Sequence, residues 1–150
     1  MIRIDVRRSI AWAALASAAL YAGCGTDAGA AGGANGSTGA TCKAASECYL
    51  GVDPTILSGT ATCLSVSNGY CTHSCTSDAD CCSAKGECPS GRKEVCSPFE
   101  SSGQMFCFLS CEGADVGSDD PTAYCTQFSN AAFSCRSTGG GAKNRKVCSP

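Results

Sequence analysis

The chain has 150 residues, 15 of them cysteine, and a formal charge of −2 from eleven Lys and Arg against thirteen Asp and Glu. A mildly acidic balance excludes a nucleic-acid footprint, which needs clustered Lys and Arg. Large apolar residues are sparse from Thr41 onward, so burial alone would hold the fold weakly. Cysteine at this density points instead to a disulfide scaffold in an oxidising compartment.

The first eight residues carry Arg3, Arg7 and Arg8 with Asp5, and an uncharged, mostly apolar stretch follows from Ser9 to Tyr21. That stretch is too short to span a bilayer, which takes about 20 apolar residues. A basic start, a short apolar core and small residues at its end read as a secretory signal over 1–23. It ends in Leu20-Tyr21-Ala22-Gly23-Cys24, which resembles the lipobox of bacterial lipoproteins, with Tyr21 where that motif usually has Leu. The resemblance implies cleavage before Cys24 and acylation of its thiol, anchoring the chain in a lipid bilayer. The alternative is ordinary signal-peptidase cleavage after Ala16-Ser17-Ala18, giving a secreted chain. Cysteine parity favours lipidation, because removing Cys24 leaves fourteen cysteines, enough for seven bridges. Gly25 is not the Asp associated with inner-membrane retention in enteric-type lipoproteins, which points to the outer membrane of the cell envelope. Without 1–23 the chain keeps eight basic and twelve acidic side chains, a charge of −4.

Residues 25–41 are mostly Gly, Ala, Ser and Thr, with nothing large and apolar. Such a composition predicts a flexible tether, reaching roughly 20–25 Å.

From Cys42 on, the cysteines repeat. Cys42, Cys48, Cys63 and Cys71 are separated by 5, 14 and 7 residues, and Cys75, Cys81, Cys96 and Cys107 by 5, 14 and 10. Cys111, Cys125, Cys135 and Cys148 keep the four-cysteine plan with gaps of 13, 9 and 12, and three residues separate successive units. The units are therefore 42–74, 75–110 and 111–150. Cys82 and Cys88, the surplus pair inside the second unit, predict one local extra bridge. Within each unit, four cysteines allow three connectivities.

Each unit opens on a segment fit for one helical turn: 43–47 in the first, and in the second a turn reaching Cys81 with Ser77 and Asp78 as candidate caps. In the third, Asp120 precedes Pro121, which suits a first helical position. Each unit closes on a hairpin: Thr62 to Cys71 with a turn at Asn68-Gly69, Val95 to Phe108 around Ser101-Ser102-Gly103, and Phe133 to Cys148 around Gly139-Gly140-Gly141. Tyr70, Phe106 and Val147 precede the last cysteines and are expected to pack on the bridges as a small core per unit. The predicted class is a small disulfide-rich, irregular fold of short β-hairpins and single helical turns in three tandem units.

Sites for chemistry are few. Zinc knuckles need C-x-x-C or paired histidines; neither occurs, and His73 is the one histidine. His73 is expected to be structural or on the surface, although a deep pocket with converging carboxylates around it would point to a hydrolase. Asp115, Asp119 and Asp120, like Asp78 and Asp80, could offer oxygens to Ca²⁺ but lack EF-hand spacing, so capping and solubility explain them more simply. Lys143, Arg145 and Lys146 read as a solvated hairpin tip. No metal, cofactor or catalytic residue is expected.

These residues resemble the cysteine-rich lipoproteins of myxobacteria, through the lipobox, the Gly/Ala tether and repeats such as Cys75-Thr76-Ser77-Asp78-Ala79-Asp80-Cys81. The C-x₅-C element with Asp before its second Cys is also similar to small extracellular disulfide modules, the Dickkopf-like ones included. The resemblance implies a surface lipoprotein with an interaction or structural domain and a protein or surface-polymer partner, and it carries over no functional residues. A secreted inhibitor or toxin-like effector is the alternative, with 52–58 or 85–93 as the exposed loop.

Overall fold

A computed structural model describes residues 36–88, 91–99, 103–139 and 144–150. The expected signal over 1–23, Cys24, tether residues 25–35, the turn residues Ser101, Ser102, Gly140 and Gly141, and Lys143 lie outside the described residues.

Among the described residues six short strands form three antiparallel hairpins. β1 (Ala61–Leu64) pairs with β2 (Tyr70–His73), β3 (Glu94–Pro98) with β4 (Met105–Leu109), and β5 (Ser134–Ser137) with β6 (Lys146–Ser149). Ahead of the first two hairpins lie single 3-10 turns, Ala45–Glu47 and Asp78–Asp80. Two helices, α1 (Gly113–Val116) and α2 (Pro121–Phe128), precede the third. Asp120 caps α2 by accepting the Ala123 N–H at 2.8 Å, and Pro121 opens it. Among the described residues no helix is long and apolar enough to cross a membrane.

Seven disulfides join the fourteen cysteines from Cys42 on, with one plan in each unit. First bonds third and second bonds fourth: Cys42–Cys63 and Cys48–Cys71, Cys75–Cys96 and Cys81–Cys107, Cys111–Cys135 and Cys125–Cys148. The third and fourth cysteines of a unit face each other across its hairpin, at Cys63↔Cys71, Cys96↔Cys107 and Cys135↔Cys148. Neither bonds its opposite. Each instead reaches back to the turn or helix ahead of the hairpin, stapling the two halves of the unit together. The surplus pair closes its own loop as Cys82–Cys88. Cys82 adopts a left-handed backbone, φ 70°, which lets it bond away from its neighbour Cys81.

Successive units are joined by the same contacts. Ser74 bridges to Phe106, and the Cys75 N–H donates to the Met105 carbonyl; in the next junction Ser110 bridges to Val147, and the Cys111 N–H donates to Lys146. The repeat in cysteine spacing is thus a repeat in how the hairpins stack.

The expected core per unit holds in part. Small clusters form on the bridges of the first unit, around Cys42, Cys48 and Cys71, and of the second, around Cys75, Cys81, Cys96 and Cys107. Tyr70, Phe106 and Val147, however, belong to a larger shared core. Leu64 and Tyr70 of the first unit, Val95, Phe106, Phe108 and Leu109 of the second, and Val116, Tyr124, Phe133 and Val147 of the third form one shared cluster. Side chains alternate across a strand, so the cysteines turn to their own bridges while their neighbours turn toward the other units. Tyr70 stacks on Phe133 at 5.5 Å and contacts Phe108 at 5.3 Å, joining all three units. The Leu109 N–H donates to its hydroxyl.

Two further expectations change. The Asn68-Gly69 pair is not the centre of a two-residue turn. Leu64 pairs with Tyr70, and the Gly69 N–H donates to the Val66 carbonyl, so Ser67 and Asn68 take the central positions. Gly69 is needed for another reason: its φ is +83°, and a Cβ there would lie 1.8 Å from the Cys42 carbonyl oxygen. The end of the expected tether is also packed. Ser37, Thr38 and Ala40 are buried. Gly39 N–H donates to Cys71, Cys71 N–H to Ala40, and Tyr49 N–H to the Gly36 carbonyl at 2.7 Å. Backbone pairing along β2 holds this strap, which its composition does not reveal.

Candidate functional site

The strap covers a buried polar cluster. His73, at the end of β2, and Glu87, inside the Cys82–Cys88 loop, are both 0% exposed, and His73 Nε2 lies 2.6 Å from Glu87 Oε1. The other ring nitrogen faces the Ser74 carbonyl at 2.9 Å and donates to it, and an ionised Glu87 takes a second donor from Nε2, an arrangement that favours the imidazolium. Burial opposes that charge, but the hydrogen bonds to Glu87 and Ser74 overcome it and raise the His73 pKa. Glu87 shows the converse. Burial works against its charge, yet His73 and the N–H groups of Ala84 and Cys82 hold its pKa below the ordinary value.

Beside this ion pair lies a second carboxyl, Glu94 on β3. Thr38 of the strap donates to Glu94 Oε2 at 2.7 Å, and the Tyr49 hydroxyl lies 2.6 Å from Thr38 Oγ1. Tyr49 also packs edge-on against the His73 ring at 5.5 Å. Burial pushes Glu94 up to about 8, the charge of Glu87 adding to the shift and the Thr38 hydrogen bond opposing it. The cluster therefore favours an ion pair between His73 and Glu87 beside an acid that burial holds toward its protonated form.

Carboxylates do converge on His73, as a hydrolase would need, but the deep pocket does not accompany them. The imidazole and the Glu87 carboxylate carry no exposed surface, whereas general acid–base chemistry needs its group within hydrogen-bonding reach of a substrate atom. Glu87 and Glu94 carried no sequence signal, since neither belongs to a motif, and only the fold brings Glu87 to His73 and Glu94 to Thr38.

The remaining acids are dispersed. Asp115 accepts from Ser110 and pairs with Lys93 at 3.2 Å, while Asp120 caps α2. Asp80 accepts from Thr76 and the Ser77 N–H. Asp78 is not a cap: it accepts the Cys96 N–H at 2.9 Å and the Arg145 guanidinium at 2.7 Å. Arg145 corrects the expected solvated tip. Its second partner is Glu112, at 2.7 Å from Nε, so one guanidinium joins the second unit to the third. In each unit the first, second and fourth cysteine sulfurs lie within 4.8 Å of one another. They are disulfide sulfurs, whereas metal ligation needs thiolates.

An open cavity of about 360 Å³ lies where the three hairpins meet. Val66 comes from the first unit, Pro98, Phe99 and Phe108 from the second, and Val147 and Pro150 from the third, with Ser67, Ser137, Thr138 and Ser149 supplying polar groups. Its volume is in the range of small-ligand sites. Phe99 stacks against Phe108 at 6.3 Å, giving the cavity an aromatic wall.

Of the two expected inhibitor loops, 52–58 is folded into turns. Asp53 accepts from the Thr55 N–H and hydroxyl, the Ile56 N–H donates to Asp53, and Ser58 contacts Ser83 at 2.6 Å. In 85–93, Pro89 and Ser90 lie outside the described residues, and Glu87 points inward to His73.

Neither a protein-family model nor a curated protein nor a solved structure matches this chain.

Proposed function

We propose that this chain is a surface lipoprotein of the bacterial cell envelope, related to the cysteine-rich lipoproteins of myxobacteria, with a disulfide-stapled interaction or structural domain and no catalytic activity. The observation that carries the reading is the completeness of the bridging. The seven disulfides consume every cysteine from Cys42 on, so Cys24 has no bridge partner among them. In an oxidising compartment that leaves Cys24 for another chemistry, and the lipobox-like residues before it suit acylation. Several acyl chains on one cysteine make a lasting anchor, at about 0.8 kcal/mol per buried CH₂. The bilayer is thus one partner. The second is a protein or surface polymer, for which the aromatic cavity between the hairpins is the natural seat; an acidic surface disfavours nucleic acid. Sealing of the His73–Glu87 pair supports the non-catalytic reading, and the turned conformation of 52–58 weakens the secreted-inhibitor alternative, since proteases read substrates as extended strands.

Intact mass of the membrane-extracted protein tests the proposal. Loss of residues 1–23, a gain of several hundred daltons of lipid at Cys24, and no alkylation before reduction are expected. An unmodified Cys24 would overturn the anchor.

A further inference from the structure

Among the described residues the exposed large hydrophobics are Leu50 and Ile56, at 56% and 49% exposure. Both belong to one loop of the first unit, whose Val52 and Leu57 pack inward on the cluster formed by Ala40, Cys48 and Tyr49. The loop is held by backbone turns, Val52 N–H to Tyr49 and Ile56 N–H to Asp53, and is anchored at its start by the Cys48–Cys71 bridge. Two large apolar side chains are therefore presented to solvent on a braced support. Single exposed leucines are ordinary on protein surfaces; the position of this pair is informative.

The loop lies where the N-terminal part of the chain reaches the domain. The Tyr49 N–H donates to the Gly36 carbonyl at 2.7 Å, so Leu50 follows directly the residue to which the strap's first described residue is tied. Cys24 lies only twelve residues before Gly36. Even fully extended, that length of chain spans at most about 43 Å. An acylated Cys24 thus joins the bilayer to the domain on this side of the first unit, within at most about 43 Å.

We infer that the loop carrying Leu50 and Ile56 is a membrane-docking surface, inserting both side chains at the headgroup–acyl boundary of the bilayer that holds Cys24. The inference rests on the lipid-anchor reading above. Insertion of this kind is apolar. Asp53, the exposed charged residue between the two, has its ionised carboxylate held by Thr55, so the loop inserts with this acid left at headgroup level, and the acidic chain gains nothing from anionic lipid. Docking turns one face of the first unit to the membrane and fixes the orientation of the domain.

Tryptophan fluorescence tests this directly. Trp12 is the sole tryptophan and lies within the expected signal, so a single tryptophan introduced in the mature chain is the only one present. Leu50→Trp and Ile56→Trp, with Arg136→Trp on β5 as control, are purified as full lipidated protein and reconstituted in phosphatidylcholine vesicles with and without brominated acyl chains. Expected for both loop positions is a blue-shifted emission with a loss of about half its intensity or more on bromination, against little change at Arg136→Trp. Measured mass of the same samples separates the two claims. A protein without lipid on Cys24 overturns the anchor reading; a lipidated protein quenched equally at all three positions, or at none, overturns docking alone. A blue shift at the loop that appears without vesicles and grows with protein concentration would assign the loop to a second copy and also overturn docking.

Discussion

Thr38 and Glu94, 56 residues apart, share a buried hydrogen bond of 2.7 Å that fastens the strap to the second unit. The same Thr38 oxygen contacts Tyr49, so this hydroxyl serves two buried polar groups at once. Thr38→Val keeps the shape and removes the hydroxyl. Leaving two buried groups without it is expected to destabilise the domain by about 1–3 kcal/mol, read by denaturant unfolding with disulfides intact. An unchanged midpoint would mean that this hydroxyl contributes nothing to the fold and that backbone pairing alone holds the strap.

Glu94 makes stability depend on pH. Its pKa rises from the ordinary 4.5 to about 8 on folding, so between those values the unfolded chain has lost a proton that the folded chain keeps. Stability from this group is fully present below about pH 4.5 and is lost as pH rises through about 8, by up to about 5 kcal/mol. Glu94→Gln should remove the decline between about pH 5 and 5.5, about a unit below the unfolded value of His73. A decline that persists in that window would place its source elsewhere.

His73 can be followed without assignment, being the one histidine of the chain. Its pKa is raised on folding, so the stability it lends is present below the unfolded value of 6.5 and lost as pH climbs through the higher folded value. Its ring-proton NMR midpoint is expected above 6.5 in the native domain. Glu87→Gln removes the carboxylate, lets burial prevail and moves that midpoint below 6.5, with a loss of about 3–5 kcal/mol from breaking a buried pair. A midpoint indifferent to Glu87 would contradict the ion pair.

How much of this was legible follows from which interactions are local. Cysteine spacing reveals the units, the surplus pair Cys82 and Cys88 and the places of the three hairpins, because loop closure and strand alternation are short-range. Asp120 and Pro121 announce α2 for the same reason. The bonding order within a unit is not legible, since opposite cysteines such as Cys63 and Cys71 would serve equally well as partners until the turn segment at Cys42 and Cys48 packs onto them. The strap was misread because Gly, Ala, Ser and Thr carry no apolar signal, and what holds residues 36–40 is mostly backbone. Glu87 and Glu94 look like surface acids; only the stacking of units encloses them.

Arg145 ties Asp78 of the second unit to Glu112 of the third. The pair partners are partly exposed, so Arg145→Ala is expected to cost only about 1 kcal/mol, less in about 1 M salt where exposed charges are screened. Arg145→Lys keeps the charge but not the fork that serves two carboxylates, and should recover less than half of that loss. Full recovery with Lys would reduce the clamp to simple charge attraction.

The Cys82–Cys88 bridge closes a loop with a sequence separation of only 6, against 24 for Cys111–Cys135. Loop-closure entropy alone ranks it the weaker of the two, at about 2 kcal/mol against about 3. It also shapes the seat of Glu87, whose carboxylate is gripped by the N–H groups of Cys82 and Ala84. Replacing both Cys82 and Cys88 by Ser should therefore lower the His73 midpoint as well as the unfolding midpoint. The same replacement at Cys111 and Cys135, in the third unit, should lower the unfolding midpoint more and leave His73 titrating as before. If the His73 midpoint moved equally in both variants, the short bridge would be a staple like the others and the seat of Glu87 would be set by the packed units alone.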